Sequence, residues 1–226
     1  MDSLVYYNLA LASEKNQNYN EAIKWYRKCI DINYNFELNC LNIIYLLKVQ
    51  GNHAEIDEQF KYCYNQQANN DELVSLYTGH LLKIGEQNKA IQVLTEAIKN
   101  NPKNEVYYFL LGSIYQSQNQ ETLAIQNFKT SIQLNSNYFD PEYNLGVLYF
   151  NKGVELNNTA LDEENELKQE NLFDEAEIAF KKAMTHLEKA HSYKPKDRNT
   201  MQSLLLIYQH FNYAEKYNTL INKMNQ

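Results

Sequence analysis

The stretch Glu105–Ser131, EVYYFLLGSIYQSQNQETLAIQNFKTS, decides the fold. Tyr108, Leu111, Gly112 and Tyr115 follow one another at steps of three, one and three, and Ala124, Phe128 and Ser131 at steps of four and three. Residues three and four apart share one face of a helix, so the stretch reads as two amphipathic helices with a break near Asn119. One helix carries a small residue between large ones, and the other carries Ala and Ser beside Phe. That pattern suits two helices that cross closely.

Stepping by 34 residues in either direction reproduces the pattern. Leu9, Ile43, Tyr77, Leu111 and Leu145 form one column, and Ala10, Ile44, Thr78, Gly112 and Gly146 the next. Ser13, Leu47, Leu81, Tyr115 and Tyr149 follow; then come Ala22, Ile56, Ala90 and Ala124. Tyr26, Phe60, Leu94 and Phe128, with Cys29, Cys63, Ala97 and Ser131, complete the set. The break between the helices falls at Gln17, Gly51, Gly85, Asn119 and Gly153, where glycine would permit a left-handed helix end. A fixed period of this length marks a repeat architecture. Units begin near Ser3, Glu37, Asp71, Glu105 and Phe139.

Composition agrees. The 226 residues include only 6 Gly and 3 Pro, which favours helices joined by short connections, and 44% are hydrophobic. The 19 Tyr are many, and several fall in core columns. Net charge is −7, and the stretch from Asn151 to Ile178 supplies all of it: nine acidic residues against Lys152 and Lys168. With no basic face, nucleic acid is not an expected partner. The acidic stretch reads as a solvated loop. Cys29, Cys40 and Cys63 are an odd, sparse set without metal spacing, expected as small buried apolar side chains rather than a disulfide framework. No run is long and apolar enough for a membrane span, and no signal peptide is visible after Met1.

The fifth unit is interrupted. It opens with Tyr143-Asn144-Leu145-Gly146-Val147-Leu148-Tyr149, and its second helix resumes at Ala183, Leu187, Ala190 and Pro195. Gly146 and Ala183 are 37 residues apart where a regular unit has 12, and the insertion, about 154–172, is the acidic stretch; Leu172, Ala176, Ile178, Ala179 and Phe180 suggest that the second helix begins early, near Phe173, and the first helix can run on past Gly153 towards Leu161. A sixth, irregular unit follows, with Leu204, Leu205 and Tyr208, then Tyr217, Ile221 and Met224. It is expected to cap the stack.

These columns resemble the tetratricopeptide repeat (TPR): aromatic, Leu-Gly, Tyr, Ala, aromatic, Ala, Pro. The resemblance implies an all-α, right-handed α-α superhelix of about six helix pairs, roughly twelve helices. One domain would span 1–226, with units at 3–36, 37–70, 71–104, 105–138 and 139–197 and a terminal cap at 198–226. From Tyr143 onward the chain also resembles TPR proteins of Bacteroidetes bacteria, which share the interrupted unit and an ending similar to Lys194-Pro195-Lys196-Asp197. Longer relatives of that kind carry a secretion signal. The compartment is therefore open: cytoplasmic by default, periplasmic if an upstream signal was removed.

By the same resemblance the first helix of each unit lines a concave groove, exposing unit positions 2, 5, 9, 12 and 13. There the sequence places Tyr7, Leu41, Tyr45, Phe109, Tyr143 and Phe150, an aromatic and aliphatic row suited to an apolar segment of another protein. The carboxylate clamp of TPR chaperone adaptors needs Lys at position 5 and Asn at position 9. Here those slots hold Tyr7 and Leu11, Leu41 and Tyr45, Ser75 and Gly79, so that activity is not expected. His186 and His191 are five residues apart, no phosphate loop, nucleophile elbow or calcium loop is present, and no cofactor, metal or catalytic set is expected. The sequence thus points to a non-catalytic scaffold that binds a protein or peptide. The alternative is a self-associating homo-oligomeric module, or the C-terminal part of a longer secreted TPR protein.

Overall fold

The structure is a computed structural model that describes residues 3–67 and 70–224. Twelve α-helices and no strands occur among the described residues. The chain groups into two compact units, residues 1–102 and 103–226. The first holds α1 (Ser3–Lys15), α2 (Tyr19–Asp31), α3 (Phe36–Val49), α4 (His53–Gln66), α5 (Asp71–Lys83) and α6 (Gln87–Asn100). The second holds α7 (Glu105–Ser117), α8 (Glu121–Leu134), α9 (Phe139–Asp162), α10 (Glu166–Tyr193), α11 (Arg198–His210) and α12 (Ala214–Met224). Within each unit, helices adjacent in sequence pack on one another.

The turn inside each pair is built the same way wherever it occurs. Gln17, Gly51, Gly85 and Asn119 all adopt positive φ, between 58° and 81°, and so does Asn212 at 55°. One residue further on, a backbone N–H reaches five residues back: Asn18 to Ser13, Asn52 to Leu47, Glu86 to Leu81, Gln120 to Tyr115 and Tyr213 to Tyr208, all at 2.8–2.9 Å. This bond satisfies a helix-end carbonyl that would otherwise lack a partner. Asn212 stands in register with the others once Arg198 is taken as a unit start, so the last pair keeps the repeat's turn. Several helix starts are capped by a side chain: Asn70 accepts from the Leu73 amide, Asn104 from Val106, Asn165 from Lys168 and Asp197 from Thr200.

Small residues set the crossing of each pair. A Cβ added to Gly112 would lie 2.6 Å from the Phe128 ring. Ala10, Thr78, Ala22, Ala90 and Ala124 are wholly buried. The aromatic column fills the space they leave, with Tyr26, Phe60 and Phe128 buried. Polar ties close the ends: Asn101 donates to Asp71 at 3.1 Å and Asn135 to Glu105 at 3.0 Å, each joining the close of a second helix to the start of its own first helix.

Two expectations change. The acidic insertion is not a loop. Its residues extend both helices of the fifth pair, so that α9 has 24 residues and α10 has 28, with only 163–165 between them. Gly153, in the column where the other pairs turn, stays helical and lies against the Phe180 ring, which an added Cβ would approach to 2.8 Å. Ala160, Ala176 and Ala179 are buried along the same seam, and the Gln169 side chain donates to the Ala160 carbonyl at 2.9 Å, closing the tip. Alternating small residues thus hold the extension together while its carboxylates face water. The charge pattern alone could not distinguish this from a loop. The second change concerns the cysteines. Cys40 and Cys63 form a disulfide between α3 and α4 with Cα atoms 6.2 Å apart, leaving Cys29 free and buried. Both sit at close-approach positions of one pair, so their Cα atoms fall within bridging range. An odd total conceals one pair.

A buried carboxylate adds a polar clasp between α9 and α10. Glu142, 1% exposed, meets His186 Nδ1 at 2.5 Å and Lys189 Nζ at 3.5 Å. The His186 ring also stacks on Tyr149.

Gly153→Ala is expected to destabilise the protein by about 1–3 kcal/mol, because overpacking against Phe180 outweighs the gain in helix propensity. Gly79→Ala, in a helix with nothing within 4 Å of the new methyl, is expected to gain up to about 1 kcal/mol. Urea denaturation of the two variants measures both signs.

Candidate functional site

The six groove candidates divide between the two units. Tyr7 lies on α1 and Leu41 and Tyr45 on α3, whereas Phe109 lies on α7 and Tyr143 and Phe150 on α9. They are not equally free. Tyr45 is 60% exposed, the most open of them. The other five are half-buried.

The half-buried rings have partners. Tyr7 packs edge-on against Tyr34 at 6.0 Å and tilted against Tyr26 at 6.1 Å. Phe109 repeats the arrangement three repeats later, against Phe128 at 6.2 Å and Tyr138 at 5.4 Å. Tyr143 stacks on Phe139 and Phe150 tilts against Phe180. Phe109, Tyr143 and Phe150 all pack against one buried cluster of the second unit, which includes Leu145, Leu187 and Leu204. These rings therefore carry fold stability and also present an edge. Ring pairs of this kind contribute about 0.5–1.5 kcal/mol beyond the area they bury.

Tyr45 belongs to an apolar stripe along α3. Leu38, Leu41, Tyr45 and Val49 recur at steps of three and four on one face of α3. Leu38, Tyr45 and Val49 are exposed, and Leu41 lines a cleft with Phe36, Glu37 and Glu72. Lys48 is the only charged residue in α3 after Glu37. Leu38 and Val49 fall at unit positions 2 and 13, where other units carry polar residues such as Glu72, Lys83 and Ser117, so the columns alone do not single them out. The hydrophobic period within α3 is the signal that would have found them.

Burial moves several phenols. It pushes the Tyr138 hydroxyl up to about 12, with Asp140 and Glu105 adding to the effect. It raises Tyr143 too, helped by Asp197. Tyr26 and Tyr208 rise for the same reason, and each donates to a carboxylate, Glu14 at 2.7 Å and Glu188 at 2.9 Å. All four are neutral near pH 7. Among the described residues no group of three or more His, Cys, Asp or Glu side chains could hold a metal, and no helix is long and apolar enough to cross a membrane.

Stacked helix pairs on a 34-residue step, with small residues at the crossing and a left-handed turn between the helices, define an all-α helical repeat protein. The repeat is the tetratricopeptide repeat: residues 4–36 match the family model described as tetratricopeptide repeat, and residues 112–153 match a second, described as TPR repeat. Solved structures agree on the fold. A TPR repeats protein from Bacteroides fragilis shares 22% identity over 92% of this chain and 99% of its own, with a TM-score of 0.52. A tetratricopeptide repeat protein from Parabacteroides merdae shares 12% over 98% of this chain and 78% of its own, with a TM-score of 0.63. YrrB, described as a TPR protein with an unusual peptide-binding site, shares 18% over 89% of this chain and 91% of its own, with a TM-score of 0.55. No curated protein sequence matches the chain. TPR folds of this kind support a role as a protein-interaction scaffold.

Truncating Tyr45 to Ala is expected to change stability by less than about 0.5 kcal/mol, because the ring is largely in water. Phe109→Ala is expected to cost about 2–4 kcal/mol, because it empties space beside Phe128 and Tyr138. Chemical denaturation of the two single variants checks the difference. A phenol whose folded pKa is raised contributes stability that is fully present below its unfolded value and lost as pH rises through the folded one. Stability is therefore expected to hold to about pH 10 and to fall between about 10 and 12. Tyrosinate absorbance should then rise together with loss of helical circular dichroism.

Proposed function

We propose that this chain is a non-catalytic scaffold that binds an apolar segment of another protein along the first helices of its pairs. Tyr7, Leu41 and Tyr45 provide anchors in the first unit, and Phe109, Tyr143 and Phe150 provide them in the second. The observation that carries the reading is the α3 stripe. Leu38, Leu41, Tyr45 and Val49 form a row with apolar residues at helical spacing, and its most exposed member is an aromatic ring. Exposed apolar rows rimmed by polar groups mark interaction surfaces. A ring supplies large contact area at low entropic cost.

The half-buried rings favour binding in a second way. Tyr7, Phe109, Tyr143 and Phe150 are already held by neighbouring rings, so little further freedom is lost when a ligand packs on them. The fold likeness to a peptide-binding TPR protein supports a peptide as the ligand class. The positions where a chaperone-tail clamp would need a cation are taken by Tyr7, Leu41 and Ser75, so a terminal carboxylate is not the feature recognised.

Peptides selected from a random displayed library on the intact protein are expected to carry apolar anchors at regular spacing. Isothermal titration should show affinity falling at least tenfold, about 1.4 kcal/mol, in the Leu41→Ala/Tyr45→Ala variant with unchanged circular dichroism. A peptide ending in a chaperone C-terminal acid should not bind. Equal affinity of the selected peptides for both proteins would move the site off α3.

A further inference from the structure

The second pair, α3 with α4, lacks the small-residue crossing of the first, third, fourth and fifth pairs. Ala10 with Ala22, Thr78 with Ala90, Gly112 with Ala124 and Gly146 with Ala183 hold the two crossing columns there, but the second pair holds Ile44 and Ile56, both buried. The same pair buries two amide side chains. Asn39 is wholly buried, and its Oδ1 has no hydrogen-bond partner among the described residues. Gln59, also buried, donates from Nε2 to Cys63 Sγ at 3.2 Å, a weak acceptor. Poorly matched polar groups in an interior cost stability. What the second pair has in addition is the Cys40–Cys63 bond. In the same two columns the third and fourth pairs oppose a large residue to a small one, Val74 with Ala97 and Tyr108 with Ser131. The second pair opposes two small residues, and their sulfurs meet. Cys29 shares the Cys63 column, but its counterpart in the first pair is Tyr6, which leaves it free.

We propose that the second pair is closed by oxidation, and that the chain therefore reaches its native fold in a compartment that keeps thiols oxidised. The Cys40 and Cys63 thiols give up two electrons and two protons as the S–S bond forms. A disulfide oxidant, oxidised glutathione or the disulfide of a thiol oxidase, takes them up and is reduced to two thiols. Bridges of this kind form and persist outside the reducing cytosol. The bond joins residues 23 apart in sequence, so it removes much of the freedom of the unfolded stretch that contains the turn between α3 and α4. Cys40 and Cys63 are both 0% exposed. A reagent in water reaches the sulfurs only when α3 and α4 separate, so the bond is set while the pair assembles and is protected afterwards. The row from Leu38 to Val49 lies on this pair. A loss of peptide binding on reduction rests on the function proposed above, whereas closure of the pair by the bond does not.

Refolding the full, reduced chain from urea in two glutathione buffers tests this, one poised like an oxidising secretory compartment and the other like reducing cytosol. Alkylation in urea followed by mass spectrometry counts the thiols. The oxidising buffer is expected to leave one, Cys29, and the reducing buffer all three. The reduced chain is expected to unfold at a urea concentration lower by about 1 M or more. Amide hydrogen exchange in α3 and α4 should speed up by about 30-fold or more, while α7 and α8 change little. Cys40→Val/Cys63→Ala, which copies the Val74–Ala97 arrangement of the third pair, covers the case in which the reduced chain fails to refold. It is expected to fold, to ignore added reductant and to unfold at lower urea than the oxidised wild type. Three thiols after oxidising refolding, a bridge that forms in the reducing buffer, a reduced chain with unchanged midpoint and exchange, or a variant as stable as the oxidised wild type would each overturn the proposal.

Discussion

The close crossing of the two helices in each pair is the constraint on which the other features depend. Where Gly112 meets the Phe128 ring there is no room for a single methyl group. Closeness brings apolar surfaces to van der Waals distance along the seam, and interiors tolerate few voids. It also fixes the position of everything attached to the helices. The aromatic column at Tyr26, Phe60 and Phe128 is buried because the small column opposite leaves it space. The left-handed turn at Gln17, Gly51, Gly85, Asn119 and Asn212 then lets the chain reverse and bring the small residues into register. Turn and crossing are thus two parts of one device. Groove rings such as Tyr7 and Phe109 are aimed by it, since each packs against the aromatic side chain of its own pair's second helix.

The fifth pair shows what happens when the turn is withheld but the crossing is kept. Gly153 occupies the turn column, yet it serves as a contact for Phe180 and the helix continues. Small residues then recur further along the seam at Ala160, Ala176 and Ala179, and the two helices stay together to Asp162 and Glu166. The Glu142–His186–Lys189 clasp ties the same two helices nearer the body of the pair. A buried carboxylate of this kind is costly unless it is paired: one oxygen meets His186, and the other has no hydrogen bond but faces the Lys189 ammonium at 3.5 Å. Nine carboxylates with only two lysines would repel one another in a compact core, but along a protruding hairpin they remain in water.

The helix pairs were legible because core columns repeat, and repetition averages out single deviations such as Ile44 or Leu94. The hairpin was legible only at its base, where Leu172, Ala176, Ala179 and Phe180 point to a second helix that starts early; its tip was not, because charge counts describe exposure rather than conformation. Pairing of Cys40 with Cys63 was hidden for a related reason: parity of the cysteine count says nothing about which two lie opposite each other in one pair. Groove positions were legible as residue types, but not as degrees of freedom. A column marks Tyr45 and Tyr143 alike as aromatic, yet only packing shows that one ring is open and the other rests on Phe139.

The tyrosines connect stability to recognition. A phenylalanine at every ring position would fill the same space but would offer no hydrogen bond at the boundary with water. Tyr26 and Tyr208 bury their rings and reach Glu14 of the same pair and Glu188 of the preceding pair, so the polar end is satisfied while the ring packs. Tyr45 applies the same chemistry with the balance reversed, its ring in water and its hydroxyl available to a partner. One residue type therefore spans a range from structural to exposed, set by the face of its helix on which it lies. The most open member of that range, Tyr45 on α3, is where a bound segment gains most from burying a ring, because the fold has not already buried it.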